Sequence, residues 1–261
     1  MSALRGLLAG KVGLVTGVAN ERSIAAGCAR AFHGAGAELV LTCREKSKSF
    51  AIPVAKAVKP RLLLPLDVEI DGALESVFEQ IQSTFGRLDF VLHSIAFCPK
   101  QDFHVRVTDC SREGFARAMD ISVHSFIRMA RLAEPLMQAG GCLLTVSHYG
   151  AEKVLDRYNI MGPVKAALEG TVRYLAAELG PQGIRVKVPL KPSLCILTLL
   201  AQVLRSMSAR AGLGRLHSWA VHRPRLTKAR DRTYWRCGAA AAALITANRI
   251  RRTRNKTDAH N

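Results

Sequence analysis

No cysteine in this chain has a partner at CxxC spacing, and no histidine stands at zinc-ligand spacing. The seven cysteines, Cys28, Cys43, Cys98, Cys110, Cys142, Cys195 and Cys237, are scattered. That pattern offers neither a metal centre nor a disulfide framework and fits thiols in a reducing cytoplasm. Long apolar runs are also missing. The longest, Pro192 to Leu204, falls short of the roughly 20 residues needed to cross a bilayer, so no membrane span is expected. The short apolar run after Met1 carries one arginine and no cleavage site, so no signal peptide is expected. Wholesale disorder is excluded by a hydrophobic content of 49% with only 22% charged residues.

Acidic residues are scarce in one region only. Residues 1–188 hold 23 basic and 18 acidic side chains, whereas residues 189–261 hold 15 basic ones against Asp231 and Asp258. The net charge of +18 is therefore concentrated in the last quarter of the chain. Basic clusters attract phosphates without sequence specificity. Yet the aromatic side chains interleaved after residue 205 are only Trp219, Tyr234 and Trp235, too few for stacking on bases. A nucleic-acid role is not the favoured reading.

Short apolar runs alternate with helical patterns through the first 188 residues. Strands are expected at 12–16, 37–43, 61–66, 88–93, 142–147 and 184–188. The third is weakened by Pro65, which removes a ladder donor. Helices are expected from Ser23, over 70–85, over 115–137 and over 158–179, the last ended by Gly180 and Pro181. This rhythm predicts an α/β fold with a doubly wound parallel sheet, as one domain over 1–188. Ligands bind such sheets beyond the carboxyl ends of the strands, where the strand order reverses. Residues 189–261 are expected to be an atypical basic segment, poorly ordered and without a seventh strand.

Three places carry chemistry on local grounds. Gly17 to Ala25 joins the first strand to the first helix without a G-x-G-x-x-G. Gly17 allows a tight exit, Ser23 can cap the helix, and free N–H groups such as that of Ile24 favour a pyrophosphate. At the end of the second strand, Arg44 and Lys46 flank Glu45; an acid there suits NADH and a base suits NADPH, and both stay open. Tyr158 and Lys165 lie seven residues apart, which on a helix brings them within about 20° of one direction. A nearby ammonium would favour the phenolate of Tyr158.

GVANERSIA (17–25), HSIAF (93–97), LLTVSHYGAE (143–152) and YNIMGPVKAALEGTVRYLAAELGPQGIRV (158–186) together resemble the enoyl-acyl-carrier-protein reductases of bacteria. These belong to the short-chain dehydrogenase/reductase superfamily, with a Rossmann-type fold. The resemblance runs over about residues 6–188. It implies that Asp67 and Val68 hold the adenine, that Ser94 and Ile95 line the cofactor, and that Cys98 lies nearer the acyl group. It further implies that Lys165 holds the nicotinamide ribose and that Tyr158 stabilises the enolate oxygen while hydride from NADH reaches Cβ of a trans-2-enoyl thioester. The partner is then an acyl-carrier-protein thioester and the assembly a homotetramer, working in fatty-acid elongation. Where the family has a second active-site tyrosine, this chain has His148, which can still donate a hydrogen bond. After IRV the family's S-x-G-P-x-x-T segment is missing. That loss, with the switch in charge, points to a reading frame shifted near residue 188 and an ending that impairs activity. An inactive homologue with a basic tail that binds anionic partners, and another short-chain reductase, are the alternatives.

Overall fold

The computed structural model describes residues 6–188. They lie within the first unit of the chain, Met1–Gly212. The expectations for residues 189–261 (the basic tail, its order, the missing strand, the shifted frame) fall outside the described residues.

All six expected strands form: β1 Val12–Val15, β2 Glu38–Cys43, β3 Leu62–Pro65, β4 Phe90–His93, β5 Gly141–Thr145 and β6 Ile184–Lys187. They pair in parallel in the order β3-β2-β1-β4-β5-β6. The order reverses between β1 and β4, so the crevice that receives a ligand lies beyond Val15 and His93. Pro65 ends β3 at the edge of the sheet, opposite Cys43, where its missing donor costs least.

Alternate residues of the central strands feed two separate cores. Val12, Leu14, Val40, Val91 and Leu143 pack on one face, and Leu39, Leu41, Phe90, Leu92 and Leu144 on the other. Both faces are therefore covered, as a parallel sheet requires. On the second face the Phe90 ring meets Phe32 edge-on at 4.8 Å.

The helices are α1 Ile24–Gly34, α2 Lys48–Val58, α3 Ala73–Phe85, α4 Lys100–Phe103, α5 Arg112–Met119, α6 Ser125–Ala133 and α7 Met161–Leu179. Five of them correct the sequence reading. Neither α2, which contains Pro53, nor the short α4 was among the expected helices. α3 begins at Ala73 rather than residue 70, since Gly72 turns left-handed at φ 77°. The helix expected over 115–137 starts earlier, at Arg112, where Ser111 caps it by accepting the Gly114 N–H at 3.0 Å. It is then interrupted by a π turn at Asp120–His124, and after Ala133 it tightens into a 3-10 turn that contains Pro135. α7 starts at Met161, not Tyr158, because Arg157 and Asn159 adopt left-handed conformations at φ 60° and 37°. No described helix is long and apolar enough to cross a membrane.

Candidate active site

The loop after β1 is folded by its own polar groups. Ser23 caps α1, its Oγ accepting the Ala26 N–H at 3.2 Å and donating to Asn20 O at 2.7 Å. The Asn20 side chain in turn accepts the Arg22 N–H at 2.8 Å. Gly17 is obligatory on two counts: its φ is +79°, and a Cβ there would stand 2.1 Å from Ser94 O. The first strand's exit thus passes directly against the fourth strand's exit. Ile24 opens α1 with its side chain exposed, and the N–H groups at a helix start that have no intrahelical acceptor suit an anion.

Beside this loop, Val18 N–H donates to Thr42 O at 3.0 Å, which fixes the turn to the end of β2. Arg44 follows β2. Its Nε and Nη2 both donate to Asp67 Oδ2, at 3.0 and 2.7 Å. Two residues expected at a cofactor's adenosine end therefore meet each other. Val68 is buried next to them, and its carbonyl accepts from Arg128 Nη1 at 3.1 Å.

Ser94 and Ile95 continue β4 into the crevice, half-buried. Sequence reasoning missed what holds them. Thr16 Oγ1 donates to Leu92 O at 3.1 Å and receives the Ser94 N–H at 3.4 Å, which joins the ends of β1 and β4. His93 is fully buried between Thr145 Oγ1 at 2.8 Å and Ser125 Oγ at 2.9 Å. The Ser125 hydroxyl donates to Ile121 O at 2.7 Å, so it accepts from His93 Nε2, and Nδ1 accepts from Thr145. The imidazole is neutral, because burial, seconded by the Lys165 charge, lowers its pKa to about 3. One neutral ring thereby ties β4, β5 and α6 together. Inside the π turn, Ser122 Oγ accepts the Phe97 N–H at 3.1 Å and donates back to Phe97 O at 3.3 Å. Cys98 follows, half-buried, with its thiol pushed above its ordinary pKa first by burial. It is a small apolar wall rather than a nucleophile.

The chemical end lies where β5 meets α7. Lys165 is 5% exposed, and its ammonium donates to Val146 O at 2.8 Å. Burial lowers its pKa to about 8, while the charge on Glu169 opposes that shift. Glu169, one helical turn further on, accepts from Ser147 Oγ at 2.5 Å. Burial raises the pKa of this carboxyl, despite that bond. The Lys165–Glu169 spacing of four was a readable signal that sequence analysis passed over.

Tyr158 lies outside α7, in the turn that precedes it. The two-turn helical face expected for Tyr158 and Lys165 is therefore incorrect. Tyr158 reaches the site through the left-handed residues on either side. Asn159 also anchors that turn by donating from Nδ2 to Val105 O at 2.5 Å. The Tyr158 ring stacks on His148, centroids 4.4 Å apart, and packs so closely on Gly150 that a Cβ there would meet the ring at 2.3 Å. The expected drop in its pKa is also incorrect. Burial pushes the phenol up to about 12, so at neutral pH Tyr158 is a firm hydroxyl donor. His148 Nδ1 accepts the Gly150 N–H at 3.2 Å, leaving Nε2 as the protonated nitrogen of a neutral ring. Burial and then the Lys165 charge hold its pKa below the usual histidine value.

Among the described residues no cluster of His, Cys, Asp and Glu could hold a metal ion. The arrangement can instead hold a dinucleotide across the reversal of the sheet. It would present two neutral donors, Tyr158 and His148, and one buried cation, Lys165, to a developing oxyanion. With two ammonium protons beyond the Val146 bond, Lys165 fits the hydroxyl groups of a ribose.

Comparison with known proteins gives a family. The model described as "Enoyl-(Acyl carrier protein) reductase" matches residues 17–208. Its last part runs past the point where the sequence motifs stop. An NADH enoyl-[acyl-carrier-protein] reductase of Aquifex aeolicus is 47% identical over 183 residues, 69% of this chain and 68% of that protein. The solved enoyl reductase of Anaplasma phagocytophilum, in complex with NAD, superimposes with a TM-score of 0.68 at 44% identity, covering 70% of this chain and 71% of its own. That of Bacillus cereus, with NADP+ and indole naphthyridinone, gives a TM-score of 0.67 at 39% identity, covering 80% and 84%.

Proposed function

Since the chain belongs to the enoyl-(acyl carrier protein) reductase family, we propose that it reduces a trans-2-enoyl thioester of acyl carrier protein with NADH, in fatty-acid synthesis. The observation that carries this reading is the convergence of Lys165, Tyr158 and His148 on the end of β5, beside the reversal of a dinucleotide-type sheet.

NADH, when bound, supplies the hydride that Cβ receives. The fitting residues are Gly17, Ser23 and Ile24 for the diphosphate, Asp67 and Val68 for the adenine, with Arg44 beside them. Ser94, Ile95 and Lys165 serve the nicotinamide ribose end. As negative charge grows on the thioester oxygen, the Tyr158 hydroxyl donates to it. A phenol raised to about 12 stays protonated, so the donor is always loaded. His148 Nε2–H is a second donor in the place of a tyrosine. The Lys165 charge adds a favourable field in a poorly hydrated site, where it is strongest. Phe97, held by the π turn, and Cys98 next to it wall the acyl side. Protonation at Cα completes the saturated chain.

The assembly we take to be a homotetramer. Phe115 on α5, Ile127 on α6 and Tyr174 on α7 are large apolar side chains left exposed, which suits burial between copies. Cys43, Cys98 and Cys110 are free thiols, in keeping with a cytoplasmic setting. The test is oxidation of NADH with crotonyl thioester, comparing the chain with Tyr158→Phe. A loss of about 10²- to 10³-fold in kcat, with NADH binding retained, is expected. Equal rates would refute the reading.

A further inference from the structure

Phe97 is held at two points. Its main chain is fixed by Ser122 in the π turn, whose hydroxyl accepts the Phe97 N–H at 3.1 Å and donates to Phe97 O at 3.3 Å. Its ring lies under Arg117, whose guanidinium carbon stands 4.8 Å from the ring centroid. Arg117 is in the last turn of α5, and Ser122 is in the π turn that follows. On an unbroken α-helix, residues at that separation point about 140° away from each other. The wider π turn lets both reach one residue.

Arg117 is itself pinned. Its Nε donates to Glu69 Oε1 at 2.6 Å and its Nη2 to Oε2 at 3.0 Å, a two-pronged pair that sets the plane of the guanidinium. The Arg117 side chain is 50% exposed, so the pair adds little stability. What it fixes is an orientation. Glu69 follows the loop assigned to the adenine, but that loop has anchors of its own. Asp67 takes Arg44, and Arg128 donates both to Val68 O and to Glu75. Among the described residues, Arg117 is the one cation over the Phe97 ring.

We infer that Arg117, locked by Glu69, is a positioning residue that holds the Phe97 ring against the acyl chain and so sets how tightly the thioester binds. The inference rests on the reductase reading and adds to it a residue that acts through another. Phe97 is half-buried, so part of the ring is left for a ligand. A ring free to swing must be ordered when the chain binds, which weakens affinity. A guanidinium over its face orders it beforehand. Hydride transfer to Cβ does not use this contact, so its loss belongs in KM rather than in kcat. A longer acyl chain covers more of the wall and should feel the loss more.

The experiment measures initial rates of the full chain with trans-2-octenoyl and crotonyl thioesters at saturating NADH, and NADH affinity by nucleotide fluorescence. Arg117→Ala should raise KM for the octenoyl ester about three- to fivefold, the scale of one partly exposed contact between cation and ring. The rise should be smaller for the crotonyl ester, with kcat and NADH affinity within about twofold of wild type. Arg117→Lys keeps a cation without the two-pronged hold and should recover part of the loss. Glu69→Gln should raise the octenoyl KM in the same sense. In a Phe97→Leu background, Arg117→Ala should add nothing. An unchanged KM, an equal rise for both esters, or a matching loss in kcat or NADH affinity overturns the inference. So does an effect that persists in Phe97→Leu. If Arg117→Ala does not fold, Arg117→Lys and Glu69→Gln decide by the same criteria. A wild-type chain that reduces neither ester instead refutes the reductase reading, and the inference falls with it.

Discussion

The two ends of the crevice are built on opposite electrostatic terms. At the adenosine end, charges are paired and partly wet: the side chains of Arg44 and Asp67 are 39% and 26% exposed. Loop polar groups there satisfy one another through Ser23 and Asn20. At the chemical end a lysine is almost fully buried with one carbonyl acceptor, and its pKa falls to about 8 as a result. One end is stable and exchangeable. The other keeps a charge where the fold would rather have none, which is how a site can stabilise a transient anion.

The sharpest break of this contrast is Lys165→Met. Reductase activity should fall at least about 100-fold, while thermal stability at pH 7 should rise rather than drop. A folded pKa near 8 against 10.5 means that the charged form costs the fold up to about 3 kcal/mol, part of which is offset by the bond to Val146. A melting temperature below wild type would count against the argument. The same shift predicts that kcat/KM of the wild-type enzyme declines as pH rises through about 8, when the ammonium is lost. A plateau extending to pH 10 would contradict it.

His93→Leu comes next. It strands the hydroxyl groups of Thr145 and Ser125 in the core and should cost about 2–4 kcal/mol in urea denaturation. The folded pKa of about 3 lies below the ordinary 6.5, so the unfolded chain binds the proton first. Wild-type stability is therefore complete above pH 6.5 and is lost as pH falls toward 3. The leucine variant should be less sensitive to acid in that window. The smallest effect belongs to the wet end: Arg44→Ala should change global stability by no more than about 1 kcal/mol, as exposed pairs do. A larger loss would show that the adenosine end also carries the fold.

The same contrast explains what could be read from sequence. The sheet was legible because each buried strand is a short apolar run, and Ser23 was legible as a cap because capping is local. Gly17 and Arg44 follow strand ends, where position marks them, whereas Asp67 was reached only through the resemblance. Tyr158 was found through the resemblance, yet its placement was misjudged: Asn159 is a residue type that tolerates the left-handed region, but nothing in Arg157 announces it. The phenol's pKa was misjudged for a related reason, since burial under His148 and Gly150 depends on the folded turn and outweighs any charge nearby. His93, Thr145 and Ser125 lie far apart in the chain, and only the parallel pairing of β4 with β5 brings them together. Their arrangement is a tertiary fact.

The π turn at Asp120–His124 adds a phase shift to what would otherwise be one rod from Arg112 to Ala133. Such a turn carries one more residue than an α-helical turn. Excising a single amino acid there would straighten the rod and rotate one half against the other by about 100°. Ser122 would then swing off Phe97, or Ser125 off His93, and the wall of the acyl side would come out of step with the strand ends. A one-residue deletion in this stretch is thus expected to do more harm than most substitutions within it.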